Sequence, residues 1–449
     1  MSPRLLIQLM LGLAPALAIV PATAIAQSAI AITPVRLIDG AGGPPVQAAT
    51  VVIRGDRIEA AGPAADIPIP AGARIIAGRG LSAMPGLADL HTHLTGGWDG
   101  EAVDFVGYRR MLGALLNAGV TTVLDPGNVT AWVKQLHNEI GAGRLDGPRI
   151  YYAGPVLDGP RPIWPDISAA ISSPAQLPHF LDALKRAGVT FVKAYGGLND
   201  TLVRALVDSA RSRSLRVIAD VGGRNGSLGT AQTGVAAFAH AGRLPVTDEA
   251  IRYMADRGIA TISTLAVHES FTRRRFQNRG FLDHPLLAEV MPPNYRAEIL
   301  AWSTANPPTA ADSGRLARFP IALRNIKRMA DAGILIVAGT DAPYPGDYYG
   351  EGLHRELELL VEAGLTPLQA ISAATANAAR LIGPEARWGT IAVGRAADLI
   401  LVHGDPSVRI GDTRNIATVI QAGRVVDRAK LRYDPRLEPD FHPSPLRQP

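Results

Sequence analysis

The feature that most constrains the fold of this chain is a repeated alternation of short apolar segments with longer helical ones. Between residues 86 and 387, eight such apolar segments precede stretches rich in Ala and Leu. The eight segments are residues 87–90, 121–124, 149–152, 190–193, 216–219, 236–239, 260–263 and 334–337. Strands that alternate with helices build a parallel sheet, and eight consecutive units predict a closed (β/α)8 barrel of the TIM type.

Shorter β-type pieces flank this region on both sides. Gly, Pro and Asp turn signals separate them, and the clearest are residues 50–54, 74–77, 397–402 and 418–420. We therefore predict an α/β protein in which the two ends of the chain form one small β-sandwich domain beside the barrel. The predicted boundaries are a signal peptide at residues 1–26, the first part of the sandwich at 27–84, the barrel at 85–386, and the second part of the sandwich with a tail at 387–449.

The first residues have the pattern of an export signal. An apolar run at residues 5–20 leads to a small-residue Ala-x-Ala sequence that ends at Ala26, which is typical of a cleavable secretory signal. An uncleaved membrane anchor is the alternative, but Pro15 and Pro21 interrupt the run. We expect a periplasmic or secreted protein with no membrane association after cleavage.

The charge of the chain argues against a nucleic-acid partner. Its formal net charge is only +5, and Lys and Arg are scattered apart from three consecutive Arg at residues 273–275. That run lies in a long insertion at residues 270–318, in which the sequence predicts a helix near residues 286–302. Such a run is typical of a solvated loop, although a place near the barrel mouth would let it attract an anionic substrate. The expected partner is a small molecule, and a homo-oligomer is compatible with the sequence.

Candidate metal ligands follow the predicted strands at their carboxyl ends, where barrel enzymes place catalytic groups. The chain has no Cys, so a metal would need His, carboxylates or a modified Lys. His91 and His93 are two residues apart on one strand face and form a pincer. The other candidates are Lys193 after the fourth strand, Asp220 after the fifth, His240 after the sixth and Asp341 after the eighth. The shared position predicts one divalent-metal site of one or two ions.

Lys193 and Asp341 each allow more than one interpretation. Lys193 lies on an apolar strand, where an unpaired ammonium is costly to bury. It either pairs with Asp220 or Asp341, or becomes carbamylated and bridges two metal ions. Asp341 can ligate metal, accept a proton from bound water, or cap the following helix.

Two further residues are candidates for substrate contact. Tyr195 is two residues beyond Lys193 and so lies on the same strand face. His268 follows the seventh predicted strand and is expected to face the mouth of the barrel.

Several segments together resemble the amidohydrolase superfamily, particularly its prolidase-like and imidazolonepropionase-related hydrolases. These segments are PGLADLHTH at residues 85–93, FVK at 191–193, FAH at 238–240, AGTD at 338–341, AATANAA at 373–379, and GTI at 389–391 with ADLI at 397–400. The resemblance covers nearly all of the chain beyond the predicted signal peptide.

The resemblance implies a two-metal site, with zinc as the expected ion. In it, His91, His93 and Asp341 would hold one ion, His240 the other, and an N6-carboxylated Lys193 both. A hydroxide between the ions would attack a carbonyl carbon, and Asp341 would take its proton. This chain departs from the family pattern at Asp220, where the family usually has a His ligand. Asp220 either replaces that ligand or pairs with Lys193.

The resemblance favours hydrolysis of an amide bond in a dipeptide or an N-acyl amino acid. Lactone or ester hydrolysis would use the same attack and is an open alternative. A deaminase of the superfamily fits less well, because Gly223 stands where such enzymes commonly carry Glu. The alternative from another class is a non-catalytic periplasmic binding protein with an altered metal site.

Overall fold

A computed structural model describes residues 29–96, 107–220 and 226–436 of the 449-residue chain. The predicted signal peptide at residues 1–26 lies outside the described residues. None of the helices in these three ranges combines the length and the apolar character needed to cross a membrane.

Strands and helices alternate through the middle of the chain. The strands are β1 (Ile30–Leu37), β2 (Val46–Arg54), β3 (Arg57–Pro63), β4 (Arg74–Ala77), β5 (Leu81–Pro85), β6 (Leu87–Asp89), β7 (Val120–Asp125), β8 (Arg149–Tyr152), β9 (Val156–Asp158), β10 (Ser168–Ala170), β11 (Phe191–Ala194), β12 (Arg216–Asp220), β13 (Ala237–Ala239), β14 (Ala260–Ile262), β15 (Ile336–Val337), β16 (Leu399–His403), β17 (Ile416–Gln421) and β18 (Arg424–Val425). The helices are α1 (Tyr108–Asn117), α2 (Thr130–Gly141), α3 (Leu177–Ala187), α4 (Asp200–Arg211), α5 (Gly226–Ala231), α6 (Asp248–Arg257), α7 (Leu265–Ser270), α8 (Pro285–Ala288), α9 (Pro293–Ala305), α10 (Ala310–Asp331), α11 (Glu351–Glu362), α12 (Pro367–Ala373) and α13 (Ala376–Ile382).

All eight segments predicted as strands of the central region contain strands of the structure. These core strands are β6, β7, β8, β11, β12, β13, β14 and β15. They pair in parallel within two sheets, β6-β7-β8 and β11-β12-β13-β14-β15, and the short strands β9 and β10 extend the second sheet. Every residue of β7 and β11 is buried, as expected for parallel strands covered on both faces. The predicted α/β class with parallel sheets is therefore confirmed.

Backbone hydrogen bonds join the two parallel sheets at both of their edges. The Leu90 N–H donates to the Ala338 carbonyl at 3.1 Å, just beyond β6 and β15. The Thr190 N–H donates to the Tyr152 carbonyl at 2.9 Å, which links the start of β11 to β8. The carboxyl ends of the first and last core strands therefore lie side by side.

Segments from both ends of the chain share a separate eight-stranded sheet. Its main order is β18-β17-β16-β5-β1-β2-β3, and β4 pairs with β1 in parallel. The link between the two ends is the antiparallel pair β5–β16, in which Pro85 faces Leu399. The chain therefore leaves this sheet at β5, builds the core strands and returns at β16.

The insertion after β14 differs from its prediction in two respects. The helix predicted at residues 286–302 is two helices, α8 and α9, because Pro292 and Pro293 interrupt it. The expected solvated Arg run is largely buried. Arg275 pairs with Glu351 of α11, and Arg273 lies 4.3 Å from the centroid of the Trp302 ring. The run therefore ties the insertion to the rest of the protein.

Candidate metal centre

Three of the predicted ligands converge where β6 and β15 end. His91 Nε2 lies 3.4 Å and His93 Nε2 lies 3.0 Å from Asp341 Oδ1. One nitrogen or oxygen atom from each of the three side chains falls within 4.8 Å of the others. Two imidazoles and one carboxylate at this spacing are a suitable ligand set for a divalent transition metal.

Backbone contacts between the two strand ends set this spacing. The Asp341 N–H donates to the His91 carbonyl at 2.6 Å, and the Thr340 N–H donates to the same oxygen at 3.1 Å. Asp341 adopts a φ of 71°, a left-handed conformation that is uncommon outside glycine. Gly339 permits the close approach, since a Cβ there would lie 2.7 Å from the Cβ of His91. The strand ends thus hold the three side chains before any ligand arrives.

The orientation of His93 is fixed by a neighbouring loop. Its Nδ1 lies 2.8 Å from the Gly127 carbonyl, which can only accept, so Nδ1 carries a hydrogen. Nε2 is thereby directed at Asp341. The buried Asp125 accepts from the Leu94 and Gly127 N–H groups and holds this loop. Such contacts to the outer nitrogen are typical of metal-binding histidines.

A second pair of predicted ligands lies beside the first group. His240 Nε2 is 3.8 Å from Asp220 Oδ1, and the rings of His91 and His240 are 4.8 Å apart. His240 Nδ1 is 2.7 Å from the Thr264 hydroxyl, which sets the direction of the ring. His240 has a φ of 75°, so its strand end, like that of Asp341, depends on an unusual local backbone.

Lys193 lies among these groups without a partner of its own. Its side chain is buried, and Nζ makes no hydrogen bond with any described residue. Within the described ranges, no carboxylate comes within 4.0 Å of it, so the ion pairs with Asp220 and Asp341 considered from the sequence are not formed. Burial lowers the pKa of Lys193, although the charges of Asp220 and Asp341 oppose the shift.

Burial and mutual charge set the protonation of the other groups. Burial, with Lys193 nearby, lowers the pKa of His91 to about 4, so this imidazole is neutral at pH 7. Burial raises the pKa of Asp220 to about 6, and Lys193 limits that rise. Burial would also raise the pKa of Asp341, but His91 and His93 hold it well below its usual range. His91 and Asp341 therefore have the protonation states that metal ligation requires, whereas the pKa of His93 is raised because its contact with Asp341 outweighs burial.

A cavity opens over the metal ligands. Its empty volume is about 550 Å³, a figure that includes space open to solvent. Its wall includes the predicted contact Tyr195, together with Trp164 and Tyr344. Trp164 Nε1 donates to the Tyr195 hydroxyl at 3.2 Å. The other predicted contact, His268, is buried with its ring 6.0 Å from that of His240, and it is not part of the described wall.

Sequence reasoning missed the residues that support the ligands. Asp89, Gly127 and Thr264 each contact a ligand or the loop that carries it. Asp89 had a local signal, because it lies two residues before His91 on the same strand. For Trp164 and Tyr344, whose loops meet only in the folded protein, the sequence holds no comparable signal.

Comparison with known proteins assigns this arrangement to a family. The sequence profile described as "Amidohydrolase family" matches residues 82–426. An imidazolonepropionase from Herpetosiphon aurantiacus is 44% identical over 73 residues, which is 16% of this chain and 17% of that relative's length. An ochratoxinase from Aspergillus niger is 25% identical over 375 residues, covering 72% of this chain and 70% of the relative.

A solved structure has the same overall fold. It is that of a prolidase candidate from Bifidobacterium longum, which superimposes with a TM-score of 0.73 at 25% identity. The superposition covers 92% of this chain and 98% of that protein.

Proposed function

Because the chain belongs to the amidohydrolase family, we propose that it is a metal-dependent hydrolase that cleaves an amide bond in a dipeptide or an N-acyl amino acid. The family and its named hydrolase relatives support a hydrolase acting on carbon–nitrogen bonds. The single observation that carries the metal-dependent mechanism is the convergence of His91, His93 and Asp341 beside the pair of His240 and Asp220. The name of the Bifidobacterium longum protein favours a peptide-like substrate.

The side chains present fit a bound divalent metal. His91, His93 and Asp341 would hold one ion, while His240, Asp220 and a modified Lys193 would hold a second. Two buried nitrogens in this region, His91 Nδ1 and Lys193 Nζ, make no hydrogen bond with any residue that the structure describes. A divalent ion such as zinc, when bound, lowers the pKa of water to about 7 and polarises a carbonyl oxygen.

Lys193 is suited to carboxylation. A neutral amine adds to carbon dioxide, so that a C–N bond forms and one proton is released, and the product is an anionic carbamate. The lowered pKa of Lys193 favours the neutral amine, and the absence of an ion pair leaves its nitrogen available among the described residues. A carbamate carbon signal from protein prepared in ¹³C-bicarbonate, lost in Lys193→Ala, would test this step.

Asp341 serves as the proton carrier in the proposed reaction. It is ionised at neutral pH and lies at the cavity wall, so it accepts a proton from the attacking water and transfers it to the leaving amine. Tyr195 and Trp164, which also line the cavity, position the substrate by contact with its apolar surface. His268 contributes by packing its ring beside that of the ligand His240, at a distance of 6.0 Å.

We also propose an architecture for the core and the terminal sheet, and a location for the mature protein. The eight core strands close into a TIM-type barrel, which the hydrogen bonds across both gaps between the parallel sheets support. The terminal sheet folds as a β-sandwich. The mature protein is periplasmic or secreted after loss of residues 1–26, and N-terminal sequencing of the purified protein would test that cleavage.

One screen tests the proposed function. Purified protein is assayed on dipeptides, N-acyl amino acids and lactones, and its metal content is measured on the same sample. We expect amide hydrolysis that a chelator abolishes and zinc restores. Hydrolysis of lactones alone would replace the amide assignment, and release of ammonia would indicate a deaminase. A protein with neither activity nor metal would support the binding-protein alternative.

A further inference from the structure

We infer that Arg243 binds the carboxylate of the substrate and makes the enzyme selective for N-acyl amino acids with a free carboxyl group. This inference rests on the proposed amide hydrolysis and names the residue that recognises the charged end of the substrate. Arg243 lies three residues beyond His240, in the loop that follows β13. That loop lies at the carboxyl end of the core strands, as the metal ligands do.

Two successive aromatic contacts connect the Arg243 side chain to the cavity wall. Its guanidinium carbon is 5.2 Å from the centroid of the Phe271 ring. The Phe271 ring in turn lies 5.2 Å from that of Tyr344, which forms part of the cavity wall. A guanidinium that stacks by its face keeps its edge N–H groups available for a planar acceptor.

Arg243 also has no anionic partner in the described part of the protein. Its side chain is exposed, and neither a hydrogen bond nor an ion pair joins it to another described residue. The neighbouring Arg run of the insertion differs in this respect. Arg274 pairs with Glu362 at 2.8 Å, and Arg275 pairs with Glu351. Arg243 can therefore accept a new carboxylate without breaking an ion pair to any residue that the structure describes.

The charges at this end of the core strands favour a role for Arg243 in binding an anionic substrate. Asp341 lines the cavity with a negative charge, and Arg243 brings a positive charge to the same end of the core strands. A carboxylate seated on Arg243 would accept two parallel N–H hydrogen bonds from the guanidinium, while the amide carbon reaches inward toward the ligands.

Two probes that differ only in charge test the inference. N-benzoylglycine carries the carboxylate, and N-benzoylglycinamide replaces it with a neutral amide. For the wild type we expect kcat/KM at least about tenfold higher for the carboxylate. Arg243→Gln should remove this preference by raising KM for the carboxylate, with the carboxamide almost unchanged. Arg243→Lys should keep part of the preference, and Arg424→Gln, on remote strand β18, should keep all of it.

Calorimetric binding of the same probes separates this inference from the proposed function. Tighter binding of the carboxylate by the wild type but not by Arg243→Gln would support the role of Arg243 even if neither probe were hydrolysed, which would count against the hydrolase proposal alone. Equal binding of both probes by the wild type, or binding of neither, would overturn the inference. An equal loss for both probes in Arg243→Gln would assign Arg243 a merely structural role and would also overturn it.

Discussion

Asp89 accepts two hydrogen bonds from Thr340, one from the backbone N–H at 3.0 Å and one from the hydroxyl at 2.7 Å. The same carboxylate accepts from the His91 N–H at 3.2 Å. Asp89 therefore connects the end of β6 to the loop after β15, next to His91 and Asp341. This buried connection sets the distance between two candidate ligands independently of any bound ion.

Asp341→Asn should abolish turnover and leave the protein folded. The amide keeps the size of the side chain but cannot accept a proton, so kcat should fall by at least about 10²-fold. Steady-state kinetics and thermal unfolding followed by circular dichroism measure the two effects. The control is Asp66→Asn, at an exposed position in the terminal part of the chain. Activity of Asp341→Asn within tenfold of the wild type would show that Asp341 is not the base.

Asp220→Ala should lower the metal content from about two ions per chain toward one. Without this carboxylate, the second site would retain only His240 and the modified Lys193, and activity should fall with the ion. Asp220→His restores an imidazole and should preserve or raise the occupancy, as measured by mass spectrometry of bound metal. A wild-type protein with one ion and unmodified Lys193 would require a mononuclear mechanism instead.

Gly339→Ala should weaken metal binding by about tenfold or more while the protein remains folded. The added methyl group would lie 2.7 Å from both the Cβ of His91 and a methyl carbon of Ile262, so one of these side chains must move. Competition with a fluorescent chelator measures the affinity. The matched control is Gly314→Ala in helix α10, where a Cβ meets nothing within 4 Å. This control should raise stability slightly, by about 0.5–1 kcal/mol, without changing metal affinity.

Glu356→Gln should make stability less dependent on pH. Glu356 is buried, accepts from the Ala266 N–H at 2.7 Å and contacts the Ser263 hydroxyl. Burial raises its pKa from 4.5 to about 8, so the folded state binds a proton that the unfolded state releases above pH 4.5. The contribution of this group is therefore complete below pH 4.5 and declines as pH rises toward 8, by up to about 1.4 kcal/mol per pH unit.

Urea unfolding between pH 5 and 8 measures this effect. Glutamine resembles the protonated acid, so the variant should gain stability relative to the wild type as pH rises. A parallel pH dependence in the two proteins would show that Glu356 is ionised in the folded state.

Much of the fold follows from local sequence patterns. The periodic apolar segments predicted the positions of all eight core strands, and the motifs around His91 and Asp341 predicted the family, which the profile match confirms. Strands β9 and β10 were not predicted, because no α-helix separates them from β8 and they fall outside the alternation of strands and helices. The prediction of one continuous helix in the insertion was wrong. The helical spacing of apolar residues continues across Pro292 and Pro293, although the helix itself is interrupted there.

The sequence predicted which residues form the candidate site better than it predicted the contacts between them. Placement at strand ends is enough to select His91, His240 and Asp341, because barrel topology brings those ends together. Asp89 and Thr340 are 251 residues apart, and no local pattern shows that they touch. Among the described residues, the lack of a hydrogen bond to Lys193 Nζ likewise depends on side-chain positions that only the folded protein determines.

The pairing of β5 with β16 has a consequence for how the protein is made. A ribosome completes β5 more than three hundred residues before it completes β16. During that interval the growing chain carries one side of β5 without its final neighbour, and an uncovered strand edge is a template for aggregation. Translation that stops before residue 399 leaves this edge uncovered permanently. The cellular demand for chaperones should therefore be greatest while the middle of the chain is being synthesised.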